Sequence, residues 1–190
     1  MNTIIVVDLE ATCWFPRNAN HGQEQEVIEI GAAKLEIEHD NSYIVTPLEP
    51  IYVAPQFSTI SDFCTELTGL TQAKLDRDGV PFDQGLRQLL SYCQGLGYLR
   101  SWASWGSDDR DFLRRQCERF ACRYPLNQPH FDIQALMMLM RGCRKIGLKN
   151  AVERFGLTFE GRPHTGIDDA VNAARVLGEM VKRYRMKEIR

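Results

Sequence analysis

Three short segments carry side chains whose types and spacing suit hydrolytic chemistry. Asp8-Leu-Glu10 closes a hydrophobic run, and strand alternation sends positions 8 and 10 to the same side, so two like charges converge. Such a pair is tolerated when it is protonated or neutralised, and hard divalent ions take carboxylate oxygens in this way; a strand end emerging into solvent tolerates it equally well. Asp108-Asp109 follows Trp105-Gly106, with Asp111 close behind, at the expected entry to a helix. Acids there serve either as ligands or as caps that complement the helix dipole. His164-Thr-Gly-Ile-Asp168-Asp169 opens the last helix, where a histidine four and five positions ahead of two carboxylates offers a base beside a metal ligand, or a cap and a surface imidazole.

The elements that must position these residues follow from apolar periodicity. Residues 3–9 are β-branched in the manner of a buried central strand ending in a carboxylate. Residues 17–25 are polar and read as a loop. Residues 26–38 alternate as a strand, paired antiparallel with 41–47 across His39-Asp40-Asn41, which makes a three-stranded meander the simplest arrangement. Pro47, Pro50 and Pro55 then break regular structure, and residues 58–67 are predicted as a short helix stopped at Gly69. Residues 81–93 have helical spacing, 97–105 return as a strand, and 112–122 form a basic amphipathic helix. Residues 131–140 and 148–155 read as two more helices, and 167–184 as a long one with a clean apolar stripe. Early strands followed by helices predict an α/β domain spanning residues 1–190, with a mixed sheet covered on its faces.

Composition excludes several classes. With 44% hydrophobic and 25% charged residues, the chain is neither disordered nor fibrous. Its apolar runs fall far short of the roughly 20 residues a membrane span needs, and no signal peptide is visible, so no membrane and a cytoplasmic location are expected. Six cysteines at irregular spacings, without CxxC, are expected to be reduced and mostly buried. The net charge of −2 hides an asymmetry: residues 1–95 hold 5 Lys or Arg against 14 Asp or Glu, and residues 96–190 hold 18 against 11. That permits a basic surface for a polyanion beside an acidic pocket, or merely solvated helix faces.

The order Asp8-x-Glu10, then Asp109, then His164-x4-Asp169 resembles the DEDDh family of 3′ to 5′ exonucleases. The surrounding text agrees at Val7-Asp-Leu-Glu-Ala-Thr-Cys13, Glu26-Val-Ile-Glu-Ile-Gly-Ala32, Ile60-Ser-Asp-Phe-Cys-Thr-Glu-Leu-Thr-Gly69 and His164-Thr-Gly-Ile-Asp-Asp-Ala170. Within the family it looks most like the branch of enhanced-RNAi and histone-mRNA 3′ exonucleases and their compact bacterial relatives. The resemblance implies an RNase H-like fold, a mixed central sheet of about five strands with an antiparallel meander first and helices on both faces. It also implies two divalent ions, Mg²⁺ or Mn²⁺. Asp8 is expected to bridge them, Glu10 and Asp169 to complete the first, and Asp109 to hold the second, with His164 as general base. The product would be a nucleoside 5′-monophosphate, released from the 3′ end of single-stranded RNA or, less favoured, DNA.

The same resemblance places the 3′-terminal nucleotide against Ala11, Thr12 and Cys13. Trp14, Leu67 and Trp105 are candidate stacking or wedging groups, and Phe63 reads as core. Arg110, Arg114, Arg162 and Lys149 are candidate phosphate contacts. Because the motif starts at residue 8, no room is expected ahead of it for the added nucleic-acid-binding domain of the animal histone-mRNA enzymes. Selectivity is then expected from the pocket, residues 17–25 or a protein partner; a homodimer is left open. The alternatives are an oligoribonuclease or DNA-trimming exonuclease on the same fold, or a regulatory module that holds nucleic acid or protein and has no chemical need for the full catalytic set.

Overall fold

The computed structural model describes residues 2–96 and 101–188. Strand β1 (Asn2–Ala11) runs through the middle of the sheet. Ile5 and Val7 enter the core on one face and Val6 the core on the other, as a strand buried on both sides requires. It pairs antiparallel with β2 (Val27–Ile37), which sets Asp8 opposite Gly31 and Glu10 opposite Glu29. Strand β2 pairs antiparallel with β3 (Tyr43–Pro47), completing the expected meander, and with the short β4 (Ile51–Tyr52). On the other side of β1, β5 (Ser101–Ser104) and then β6 (His130–Asp132) add in parallel. The order is β3-β2-β1-β5-β6 with β4 against β2, a mixed sheet of six strands.

Seven helices in the described residues surround it. Helices α1 (Asp62–Thr68) and α2 (Gln72–Asp78) build a small core of Cys64, Leu70 and Leu75 on Ile28. Helices α3 (Phe82–Gly95) and α4 (Asp108–Arg119) cover one face, burying Phe82, Leu89 and Leu113 against Ile5, Val7 and Trp102. Helices α5 (Ile133–Arg141), α6 (Leu148–Arg154) and α7 (Gly166–Glu188) cover the other, packing Met137, Val152 and an alanine stripe at 170, 173 and 174 on Val6, Ala33 and Leu35. No helix among the described residues is long and apolar enough to cross a membrane.

Several boundaries differ from the sequence expectation. The helix expected over 131–140 starts at Ile133, because Phe131 belongs to β6 and the Asp132 side chain caps the helix by accepting from the Ala135 N–H at 2.8 Å. Ser61, not Ser58, caps α1, with its hydroxyl 3.0 Å from the Cys64 nitrogen. Helix α4 begins at Asp108 rather than residue 112, and the loop at 17–25 contains one 3-10 turn, Arg17–Asn20. Helix α2 and strands β4 and β6 were not expected. Of the strand expected over 97–105, residues 97–100 lie outside the described residues.

Candidate active site

Strand alternation sends Asp8 and Glu10 to the same face as Val6, the face that α7 covers. The approach of α7 is unusually close: a methyl carbon placed on Gly31 would lie 1.9 Å from the Gly166 carbonyl carbon. The absence of a side chain on Gly31 allows the first turn of α7 to rest on β2, and that turn carries Asp168 and Asp169. The third element is α4. The Ser104 hydroxyl donates to the Gly106 carbonyl at 2.7 Å, and Gly106, with φ +97°, turns the chain so that the Leu9 N–H donates to Asp109 Oδ1 at 3.2 Å. Asp8, Glu10, Asp109 and Asp169 thus converge from three elements.

Among the neighbours, geometry separates the alternatives the sequence left open. Asp111 pairs with Arg110 at 2.8 Å, and Asp108 is exposed beside Asp109. Asp168 accepts from the Arg162 N–H at 2.8 Å and presses on Gly161, where a Cβ would meet the carboxylate within 2.4 Å. Asp169 instead accepts from the His164 N–H at 3.1 Å and faces Glu10. His164 sits at φ +63° with its imidazole exposed; one ligand-type atom each from Glu10, His164 and Asp169 lie within 4.8 Å of one another.

The electrostatics of this cluster are severe. Burial, then Asp109, Asp169, Glu10 and Glu29, push the Asp8 carboxyl well above the usual carboxylate range. Glu10 is pushed up to about 8 by burial and by Asp169, Glu29 and Asp109. Asp109 rises to about 7, through burial and despite the Leu9 N–H, and Asp169 to about 6, through burial and despite the His164 N–H.

Glu29 is a member that the sequence reading did not single out. It lies opposite Glu10 in the β1–β2 register, is wholly buried, and accepts from the Ile167 N–H at 3.2 Å, an anion on the N-terminus of α7. Its other oxygen has no protein partner in the described residues. The motif at residues 26–32 contained it, but the strand reading of residues 26–38 gave it no role. In fact Val27 through Ala33 are buried without interruption, because both faces of β2 are covered.

The expected nucleotide contacts separate. The Thr12 side chain is wholly buried and structural: its hydroxyl accepts from the Glu26 N–H at 2.9 Å, beside Ser58. Glu26, also buried, accepts from Gln56 N, Phe57 N and the Ser58 hydroxyl. Ala11 is half-buried, its carbonyl 3.6 Å from the Cys64 sulfur. Cys13 and Trp14 line a cavity of about 860 Å³ with Phe15 and Phe63. Phe63, expected in the core, is only half-buried and meets the exposed Phe15 ring at 5.5 Å. Leu67 and Trp105 are half-buried; the indole N–H of Trp105 has no partner in the described residues. The six cysteines are free thiols, three of them buried. The hydrogen bond with Cys64, then burial, push the Cys13 thiol up, and the same hydrogen bond pulls Cys64 down to about 7.

Arg162, a candidate phosphate contact, is engaged with the protein backbone. Its guanidinium donates to the Glu66 and Leu67 carbonyls at the C-terminus of α1, tying the His164 loop to that helix. Arg110 is paired with Asp111, Arg114 lies over the Tyr124 ring, and Lys149 is exposed on α6.

The donor set fits hard divalent cations: crowded carboxylates with raised pKa values, a buried unpartnered oxygen, and one imidazole at the rim. The exonuclease family model, of the RNase T type, matches residues 5–177. The chain is 32% identical over 202 residues to ERI1 exoribonuclease 2 of Xenopus laevis, an alignment covering 94% of this chain and 28% of that protein. To the 3′-5′ exonuclease Snipper of Drosophila melanogaster it is 30% identical over 205 residues, covering 94% and 69%. Among solved structures it is similar to the nuclease domain of 3′hExo, a DEDDh family member bound to rAMP, with 28% identity, a TM-score of 0.82 and coverage of 96% and 92%. The chain spans about a quarter of the length of the frog relative. With the family match running through β1, α4 and the start of α7, this chain belongs to the exonuclease family.

Proposed function

We propose that the chain is a metal-dependent 3′ to 5′ exonuclease releasing nucleoside 5′-monophosphates from single-stranded nucleic acid, RNA in preference to DNA. The observation that carries this reading is the convergence of Asp8, Glu10, Asp109 and Asp169, with His164 at the rim. Family membership implies a divalent metal; within the proposal, two ions, Mg²⁺ or Mn²⁺, are held by these four carboxylates. When bound, they supply an activated water and stabilise the leaving 3′ oxygen.

The remaining work belongs to side chains. His164 takes the proton of the attacking water; its ring is exposed, while its backbone N–H, fixed on Asp169, holds the residue in place. Glu29 anchors α7 and with it Asp169. The Ala11 and Cys13 backbone, Trp14, Leu67 and Trp105 form the proposed walls for the terminal nucleotide, braced from beneath by Thr12, Glu26 and Ser58. The single sheet covered on both faces supports one exonuclease domain over residues 1–190, and the six free thiols suit a cytoplasmic setting.

Digestion of 5′-labelled single-stranded RNA and its DNA counterpart, with Mg²⁺, Mn²⁺ or chelator, tests the proposal. A descending ladder that requires metal and vanishes in Asp109→Ala and His164→Ala is the expected result, and the RNA to DNA ratio chooses the substrate. A folded, metal-bound protein that produces no ladder overturns it and favours a binding module.

A further inference from the structure

Two cavities meet along α4. The smaller, about 310 Å³, opens at Asp109 and Leu9; the larger, about 860 Å³, continues toward Phe15, and both are lined by Gln25, Phe112 and Arg115. Together they form one groove that leaves the carboxylate cluster between α4 and residues 13–25. We infer that this groove binds the nucleotides of the substrate strand immediately upstream of the scissile phosphate, an inference that rests on the exonuclease reading.

The lining changes character with distance from the cluster. Asp108, Phe112, Arg115 and Arg119 are spaced to share one face of α4. At ~1.5 Å rise per residue, Arg115 and Arg119 lie about 9 Å and about 15 Å beyond Asp109 along the helix axis. Helix α4 is therefore acidic where metal would sit and basic where a phosphate backbone would continue. Among the described residues Arg115 makes no ion pair within 4 Å, Asp111 acting on it only from a distance; its guanidinium lies over the Phe112 ring at 5.7 Å. Arg119 is held by Glu24 of the opposite wall at 3.3 Å, a carboxylate whose side chain is 76% exposed, and lies over Phe57 at 5.1 Å. Phe15 is 74% exposed and Phe57 63%, large aromatic faces left in water at the edges of a concave surface.

Open aromatic faces interleaved with guanidinium groups are what a single strand uses: bases stack on the rings and phosphates meet the cations, without sequence readout. A protein segment would also find aromatics and arginines attractive. Continuity with the carboxylate cluster selects nucleic acid, because a strand whose 3′ end enters the cluster must leave it along a surface of this chemistry. Glu24 then acts as a competitor that the incoming phosphate displaces from Arg119.

Steady-state kinetics on a ten-nucleotide RNA and on a dinucleotide, with anisotropy of the labelled ten-mer in chelator at several salt concentrations, tests this. Arg115→Ala with Arg119→Ala is expected to raise KM on the ten-mer about tenfold, leaving kcat and the dinucleotide constants within about twofold. The slope of log affinity against log salt should fall by about 1.4, two phosphate contacts at ~0.7 each. Phe15→Ala should weaken the ten-mer about tenfold, the loss of one stacked base. Glu24→Gln should move the other way, tightening the ten-mer, a gain that misfolding cannot produce. Equal losses on both substrates, or unchanged ten-mer affinity in the variants, overturn the groove while leaving the exonuclease standing. A wild-type chain that digests neither substrate removes the exonuclease reading, and the anisotropy then judges the groove by itself.

Discussion

At the residue scale, the cluster asks one imidazole to work beside carboxylates that resist ionisation. His164→Ala is expected to reduce kcat by about 10² to 10⁴-fold, with KM changed little, since the ring moves a proton and the backbone does the holding. Single-turnover rates on RNA check this, and an equal rise in KM would assign the histidine to binding instead. The carboxyls make a second prediction. A carboxyl whose pKa is raised on folding stabilises the folded state only while protonated; that contribution is complete below its ordinary value and is lost as pH climbs through the raised one. With Asp169 at about 6, Asp109 at about 7 and Glu10 at about 8, chelated protein should melt at steadily lower temperature from pH 5 to pH 8. Added Mg²⁺ or Mn²⁺ should raise the melting temperature most at the alkaline end, with protons released on binding. A chelated protein that gains stability over this interval would contradict the ionisation pattern. The proposed set of four carboxylates and a histidine came from the family resemblance, spacing alone leaving caps and neighbouring acids as alternatives; Glu29 did not come from either, because its burial depends on what covers the second face of β2.

At the element scale, the docking of α7 on β2 is the contact with least tolerance. Gly31→Ala places a carbon where the Gly166 carbonyl already stands, so α7 must move or the fold must yield. Loss of metal affinity larger than the loss in melting temperature is expected, read by calorimetric titration of Mn²⁺; normal affinity would show that the two elements separate without disturbing Asp169. Arg162 joins α1 to the loop that carries His164. Arg162→Ala is expected to lower kcat several-fold more than it raises KM, with partial recovery in Arg162→Lys, which keeps one charge but loses the fork. Elements with a wide apolar stripe, such as α3 and α7, announced themselves in the sequence. Helix α2 buries only Leu75 and had no stripe to show, and β6 is three residues long and runs directly into α5, so its apolar residues read as helix.

At the scale of the whole molecule, slow amide exchange should concentrate in β1 and β2, which lie between both helical layers, while the amides of α1 and α2 exchange first. Uniform protection would deny the sheet its central place. The split of charge between the two halves of the sequence proved a poor guide to the site, since Asp8, Glu10 and Glu29 come from the acidic half and Asp109 and Asp169 from the basic one. What the family resemblance offered was the proposed set of reacting groups; what the sequence hid was how tightly distant segments meet. The Glu29 to Ile167 contact joins positions 138 residues apart. During synthesis, a chain emerging from the ribosome therefore has its first two carboxylates long before its last, and cannot assemble the complete centre until the start of α7 has been translated and released.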